Sequence, residues 1–264
     1  MTEHFNHFSA PKKSLGQNFL QDPNIIRKIV AALNIKLNQT VLEIGPGRGA
    51  LTELLLTEAN ALHIVEFDHE LVAYWQQRGE QSPNLTVHAG DILKFDLNEV
   101  LLNTDGPIKV VGNLPYNISS AVLFHLLPFA DRFETQLFML QKEVVDRMSA
   151  APGNKQYGRL SVVLQQRYQI ESLFNVPATA FFPVPKVTSA IVQLTPHQVV
   201  PHPVDDQAGF EHLVKQAFSQ RRKTLRNCLK NLLSSAQIDQ LGIDPGARAE
   251  TLSVGDFVAL SKLL

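Results

Sequence analysis

Cysteine is almost absent from this 264-residue chain, which holds only Cys228. A lone thiol excludes an internal disulfide and suits a reducing compartment. Net charge is almost absent as well, at −1. That balance gives no overall argument for nucleic acid, so any such partner must be held by local patches. No apolar run is long enough to span a bilayer, and the start "MTEHFNHFSAPKK" lacks the apolar stretch of a signal peptide. The expectation is a soluble cytoplasmic protein. Internal repeats, low-complexity tracts, a nucleophile–His–acid triad and a metal-ligand cluster are all missing. His4 and His7 form an H-x-x-H pair in the tail and read as solvated side chains. What the chain does have is a core, since 44% of its residues are hydrophobic, and its length suffices for one large domain or for one large and one small.

From about residue 40 to 195 short apolar runs alternate with amphipathic stretches. "TVLEIG", "ALHIVEFD", "NLTVHAGD", "IKVVGN", "TQLFMLQ" and "TSAIVQL" read as strands. "LTELLLTEA", "HELVAYWQQ", "SSAVLFHLLPF" and "EVVDRMSA" read as helices. The alternation predicts an α/β fold whose parallel sheet is covered on both faces. Ligands of such sheets bind at the carboxyl ends of the strands. The Pro- and His-rich "TPHQVVPHPVDDQ" reads as a linker. After it, Phe218, Leu225, Leu229 and Leu232 recur at helical spacing. The expected division is a first domain over 1–199 and a small helical domain over 200–264.

The first strand end carries Gly45, Gly47 and Gly49 in "EIGPGRGA". Glycines there permit a tight turn and close approach of backbone to a ligand. With Ala50 they also satisfy G-x-G-x-x-A, a dinucleotide pattern. Pro46, however, removes one N–H from any phosphate cradle, and Glu43 would repel a pyrophosphate. Both favour a cofactor without phosphate. Glu66 ends the second strand, 21 residues beyond Gly45, where an acid meets ribose hydroxyls in this fold class. Asp91 ends the third and suits an amino group such as that of adenine.

The fourth strand runs into "GNLPYNIS". Pro115 restricts Leu114 to extended conformations and so directs its carbonyl. The Asn113 side-chain oxygen is a second acceptor, and Tyr116 offers a face for stacking. Together they read as a clamp for a flat base with an amino group. That amine is a poor nucleophile while its lone pair is delocalised. Two acceptors on its hydrogens draw the nitrogen toward pyramidal geometry. In-line attack on an activated methyl then needs positioning and electrostatics more than a strong base.

"QNFL", "EIGPGRG", "VEFD", "GDIL", "GNLPYNIS", "FMLQKEVVDRM", "YGRLSV", "FFPVPKVTSAIV" and "QRRKTLRN" occur in an order that closely resembles the small-subunit (16S) rRNA adenine N6-dimethyltransferases. The resemblance runs from about Lys12 to the end. It implies a Rossmann-like methyltransferase sheet with a small helical C-terminal domain. It implies S-adenosylmethionine as donor, S-adenosylhomocysteine as product, no metal, and a monomer acting on 16S rRNA in an immature subunit. The substrate would be two adjacent adenosines in the 3′-terminal hairpin loop, each receiving two methyls on N6. By the same resemblance a segment over about 12–35 covers the donor, with Asn18 and Leu20 closing over it. Gly45, Gly47, Glu66, Asp91 and Asn113 would line its site. Asn113, Leu114 and Tyr116 would take the target base, and Phe181 would help sandwich it. Leu15 stands where many relatives carry Arg or Tyr.

"QRRKTLRNCLK" holds Arg221, Arg222, Lys223, Arg226 and Lys230 with no acid. On a continuous helix Arg222, Arg226 and Lys230 would share one side and contact phosphates. Lys12 and Lys13 are further candidates. A large-subunit rRNA or DNA adenine methylase, an assembly factor without catalysis, and a nicotinamide dehydrogenase are the alternatives. Leu114, where DNA enzymes usually have proline, argues against a DNA target. The dehydrogenase leaves "NLPY" and the basic segment unexplained.

Overall fold

The computed structural model describes residues 9–264. His4 and His7 lie outside the described residues. Among the described residues nine strands form, β1 (Phe19–Leu20), β2 (Thr40–Ile44), β3 (Ala61–Glu66), β4 (Leu85–Ala89), β5 (Ile108–Asn113), β6 (Phe133–Gln141), β7 (Tyr168–Val176), β8 (Phe181–Phe182) and β9 (Ser189–Pro196). Seven of them make one sheet in the order β4-β3-β2-β5-β6-β9-β7. The pairs β2–β3, β3–β4, β2–β5 and β5–β6 are parallel, and β6–β9 is antiparallel. β1 and β8 form a separate two-residue antiparallel ribbon, with Phe19 opposite Phe182 and Leu20 opposite Phe181.

The central strands are β-branched and apolar because both their faces are covered. In β2 and β5 every residue but one terminal one is buried. Helices Thr52–Glu58, His69–Gly79 and Ser119–Leu126 follow β2, β3 and β5. Asp68 caps the second of these by accepting from the Glu70 N–H at 3.2 Å. Trp75 in that helix is fully buried.

The chain runs from β2 outward to β3 and β4, then returns to lay β5 on the other side of β2. Strand order therefore reverses between β2 and β5, and a crevice opens at their carboxyl ends. Gly112, near the end of β5, is a consequence. A Cβ there would stand 2.7 Å from the Ile44 carbonyl oxygen of β2, so only glycine lets the two strands approach this closely.

The chain divides into two compact units, Met1–Val145 with Glu171–Pro196, and Asp146–Ile170 with His197–Leu264. This differs from the expected division at residue 199, because the stretch 146–170 joins the C-terminal residues. Its helix Arg159–Arg167 buries Leu160, Val162, Val163 and Leu164. That helix packs against helices Gln207–Ala217 and Val254–Ser261. The Phe218 ring meets Tyr157 edge-on and Phe257 at a tilt, with centroids 6.2 and 5.5 Å away.

The basic segment departs from the expected single helix. Helix Gln207–Ala217 stops, the chain turns through Phe218–Thr224, and a short helix Leu225–Cys228 begins. The Ser219 hydroxyl donates to the Gln216 carbonyl at 2.6 Å and closes the first helix. The Leu225 and Arg226 N–H groups donate to the Ala247 and Pro245 carbonyls, at 2.9 and 3.0 Å. Those donors cannot also serve a continuing helix, and the break seats Leu225 and Leu229 in the core. Arg222, Arg226 and Lys230 therefore do not share one helix side, although all three are exposed. Arg221 donates to the Lys155 carbonyl at 2.6 Å and lies 3.5 Å from Glu250.

Candidate active site

The crevice is a cavity lined by the ends of β2, β3, β4 and β5 and by the segment before β1. It gathers Asn18, Leu20, Gly45, Gly47, Glu66, Asp91, Asn113, Leu114 and Tyr116. These residues are scattered over a hundred positions in sequence, and the parallel sheet brings them to one edge.

The glycine loop is held from two sides. Gly47 N–H donates to Glu66 Oε2 at 3.1 Å, and the Gly47 carbonyl accepts from the Trp75 indole at 2.9 Å. Gly49 has φ 89°, and a Cβ there would stand 2.7 Å from the Trp75 ring. Glu66 Oε1 accepts from the Phe67 and Asp68 N–H groups, each at 2.8 Å. Its carboxylate is thus fixed before any ligand arrives. Burial pushes the Glu66 carboxyl above its ordinary value, against the three N–H donors that pull it down. Asp91 accepts from the Leu93 N–H at 3.0 Å. Glu43 is fully buried at the end of β2, and burial, with Glu66 adding to it, pushes its carboxyl up to about 8.

The Asn113 amide nitrogen donates to the Asn18 carbonyl at 2.9 Å. This bond fixes the amide plane and leaves Oδ1 as the acceptor. The Tyr116 hydroxyl lies 2.7 Å from that of Ser189, so the ring is anchored at its far end. Burial raises the Tyr116 phenol above its ordinary value, so it stays neutral. Leu114 buries its side chain, and its N–H donates to the Met139 carbonyl at 3.3 Å.

Phe181 is placed differently. It is 2% exposed in β8, belongs to the apolar core, and is absent from the cavity lining. Strand alternation explains this: Phe181 points inward and its neighbour Phe182 outward, 49% exposed. Phe182 also stands opposite Phe19, a cavity residue.

The segment before β1 is tied to the end of β3. Lys12 Nζ lies 2.5 Å from Asp68, and the Gln17 amide donates to the same carboxylate at 2.9 Å. Burial alone would raise the Asp68 carboxyl; the Lys12 and Gln17 donors hold it below its ordinary value. Lys12 is thus committed to Asp68 rather than presented as a phosphate contact. The Arg48 guanidinium sits 4.4 Å over the Phe19 ring and donates to the Ser9 carbonyl at 2.9 Å. Such a cation–ring contact stabilises by about 0.5–1 kcal/mol at an exposed site. Asp68, Gln17, Ser189 and Gly112 were not picked out from sequence. The glycine directly before "NLPY" was the one available signal among them.

Among the described residues no group of three or more His, Cys, Asp or Glu is arranged to hold a metal ion. No helix among them is long and apolar enough to cross a membrane.

A mostly parallel sheet with an acid at successive strand ends and Asn113 at the end of the fourth marks a methyltransferase-type fold. A family model described as ribosomal RNA adenine dimethylase matches residues 9–264. The chain therefore belongs to the ribosomal RNA adenine dimethylase family. It is 50% identical over its full length, and 96% of the relative's, to ribosomal RNA small subunit methyltransferase A of Aromatoleum aromaticum. It is 52% identical to the protein of that name from Laribacter hongkongensis, over 95% of each chain. Among solved structures, a dimethyladenosine transferase from Plasmodium falciparum superposes with TM-score 0.78 at 28% identity, covering 92% of this chain and 95% of that one. The 23S rRNA methyltransferase ErmE superposes with TM-score 0.70 at 26% identity, covering 93% and 99%.

Proposed function

We propose that this chain moves methyl groups from S-adenosylmethionine to N6 of two adjacent adenosines in the 3′-terminal hairpin loop of small-subunit rRNA. The product is dimethyladenosine, made late in subunit assembly, in the cytoplasm. The observation that carries this reading is the meeting of Glu66, Asp91, Asn113 and Tyr116 in one cavity. The small-subunit target is favoured over the large-subunit one by the names of relatives about half identical to this chain.

The residues present fit the donor. The cavity is lined by carboxylates, and the Arg48 cation is turned onto Phe19 and Ser9. A buried carboxylate oxygen, Glu43 Oε2, lacks a partner. When bound, the donor supplies a methyl already activated by its sulfonium charge. Glu66 holds the ribose hydroxyls and Asp91 the adenine amine, while Gly45 and Gly47 let backbone approach and Asn18 and Leu20 cover the site. Asn113 Oδ1 and the Leu114 carbonyl accept from the target amine and restore its lone pair. Tyr116 stacks on the base, which must first leave its own stack in the RNA. Asn113 is already aligned, so little reorganisation is needed at reaction.

The test is methyl transfer from labelled donor to small subunits lacking dimethyladenosine, followed by nucleoside analysis. Dimethyladenosine at about two adenosines per subunit is expected for the proposed pair of targets. Label only on naked large-subunit RNA or on DNA would keep the chemistry and overturn the substrate.

Two further results are expected. Arg222→Ala with Arg226→Ala should weaken RNA binding and reduce the slope of log K against log salt by about one to two units. An unchanged slope would show that these side chains do not touch phosphates. Arg221→Ala should disturb the C-terminal unit as well, through its bond to the Lys155 carbonyl. As to the second face of the base sandwich, the exposure of Phe182 favours it over Phe181. Phe182→Ala should then raise KM for RNA severalfold at unchanged thermal stability. Phe181→Ala should cost about 3–5 kcal/mol of stability, as for a buried aromatic. The reverse pattern would restore Phe181 to the base.

A further inference from the structure

Among the described residues Glu43 is the cavity acid with a buried carboxylate oxygen that lacks a partner. Its side chain is buried at the closed end of the crevice, beside the glycine loop. Its Oε2 has no hydrogen-bond partner and no contact with solvent. Glu66, by contrast, has both carboxylate oxygens occupied by backbone N–H groups. An ionised carboxylate buried without a cation or donor is strongly disfavoured. The same group becomes favourable once a cation lies against it.

We propose that Glu43 carries a proton in the free protein and releases it to solvent when the cationic methyl donor enters, making donor binding proton-linked. This rests on the donor assignment above. One O–H bond of Glu43 breaks, the proton passes to buffer, and the carboxylate left behind faces the positive charge of the donor.

Among the described residues the surroundings leave no other cation for it. From β3 the facing charged group is Glu66, which disfavours a second negative charge. From helix Thr52–Glu58 it meets only the Thr52 hydroxyl. From β5 the cavity receives the uncharged Asn113, and from the end of β4 another acid, Asp91. The segment before β1 contributes Leu15, Gln17 and Asn18, all uncharged. Arg48 of the glycine loop has its guanidinium over Phe19. Burial with these neighbours sets the Glu43 carboxyl at about 8 in the free protein.

The sign follows. A donor that prefers the ionised form lowers the carboxyl pKa on binding, so protons leave. Below pH about 8 each bound donor must displace a proton, and affinity rises about tenfold per pH unit. Above it the proton is already gone and affinity levels off.

The experiment is isothermal titration of the full chain with S-adenosylmethionine in buffers of different ionisation enthalpy. Near pH 7 close to one proton should be released per donor bound. Kd should tighten about tenfold between pH 6 and pH 7. Glu43→Gln should bind with almost no proton release, whereas equal release from that variant would assign the proton elsewhere, Glu66 first, and overturn the proposal. Infrared difference spectra of the wild-type chain give a check that needs no variant. A protonated-carboxyl stretch should disappear on adding donor, and its absence from the free protein would overturn the proposal. Donor binding with no proton release and a flat pH profile would also overturn it. No binding of the donor at any pH would overturn instead the cofactor reading on which it rests.

Discussion

Asn113→Ala is expected to lower methyl transfer by a factor on the order of 10² to 10³, the range seen when one aligned polar group is removed from a reacting centre. The substitution deletes Oδ1, one of the two acceptors proposed for the target amine. It also removes the 2.9 Å bond from the amide to the Asn18 carbonyl. A bond of that kind contributes about 1 kcal/mol. Donor affinity should therefore weaken by less than tenfold, and thermal unfolding should move little. Rates under saturating donor separate these effects. Wild-type turnover in the alanine variant would remove Asn113 from the chemistry. Loss of donor binding equal to the loss of rate would make it a residue of the cover instead. Asn113→Asp should restore neither step, because the Asn18 carbonyl would then face an acceptor.

A joint loss of stability and donor affinity is expected from Gly112→Ala. The added Cβ would stand 2.7 Å from the Ile44 carbonyl, a backbone atom that a side-chain rotation cannot move aside. β2 and β5 must part at their carboxyl ends to admit it. Overpacking of this kind costs about 1–3 kcal/mol. For a chain of this size that is a fall in Tm of roughly 3–10 °C. Because the parting falls where the crevice opens, donor affinity should fall with it. Gly90→Ala serves as control, since a Cβ there meets nothing within 4 Å. Calorimetric melts of the two variants check the claim. Equal Tm values would show that the strands yield without cost.

Six of the seven sheet strands were legible because they are short, rich in apolar residues and spaced by helices; β7, with few buried residues along it, was not. The gathering of Glu66, Asp91 and Asn113 at one edge was legible because each stands at or just past the end of its strand. What stayed hidden depends on tertiary partners. Nothing in "QRRKTLRN" reports that the Ala247 and Pro245 carbonyls will claim the N–H groups of Leu225 and Arg226. A propensity reading therefore runs one helix through a turn. Helix Arg159–Arg167 falls inside the stretch from 40 to 195 that reads as alternating, yet its buried residues belong to the C-terminal unit. Phe181 and Phe182 are the same residue type side by side, and only the pleat of β8 decides which is buried. The tie from Lys12 and Gln17 to Asp68 spans more than fifty positions and leaves no local pattern.

The ribbon of β1 with β8 joins the segment that covers the cavity to the stretch leading into Ser189, on which Tyr116 leans. Lifting Leu20 off the cavity means parting it from Phe181, its partner in the ribbon. On the proposed reaction each adenosine needs two methyls, and so two donors in turn. If that reaction holds, reloading would work against the ribbon whose β8 leads on to Ser189 and Tyr116, so donor exchange and grip on the base would be linked, and a half-methylated adenosine would be freest to leave while its second methyl is being fetched.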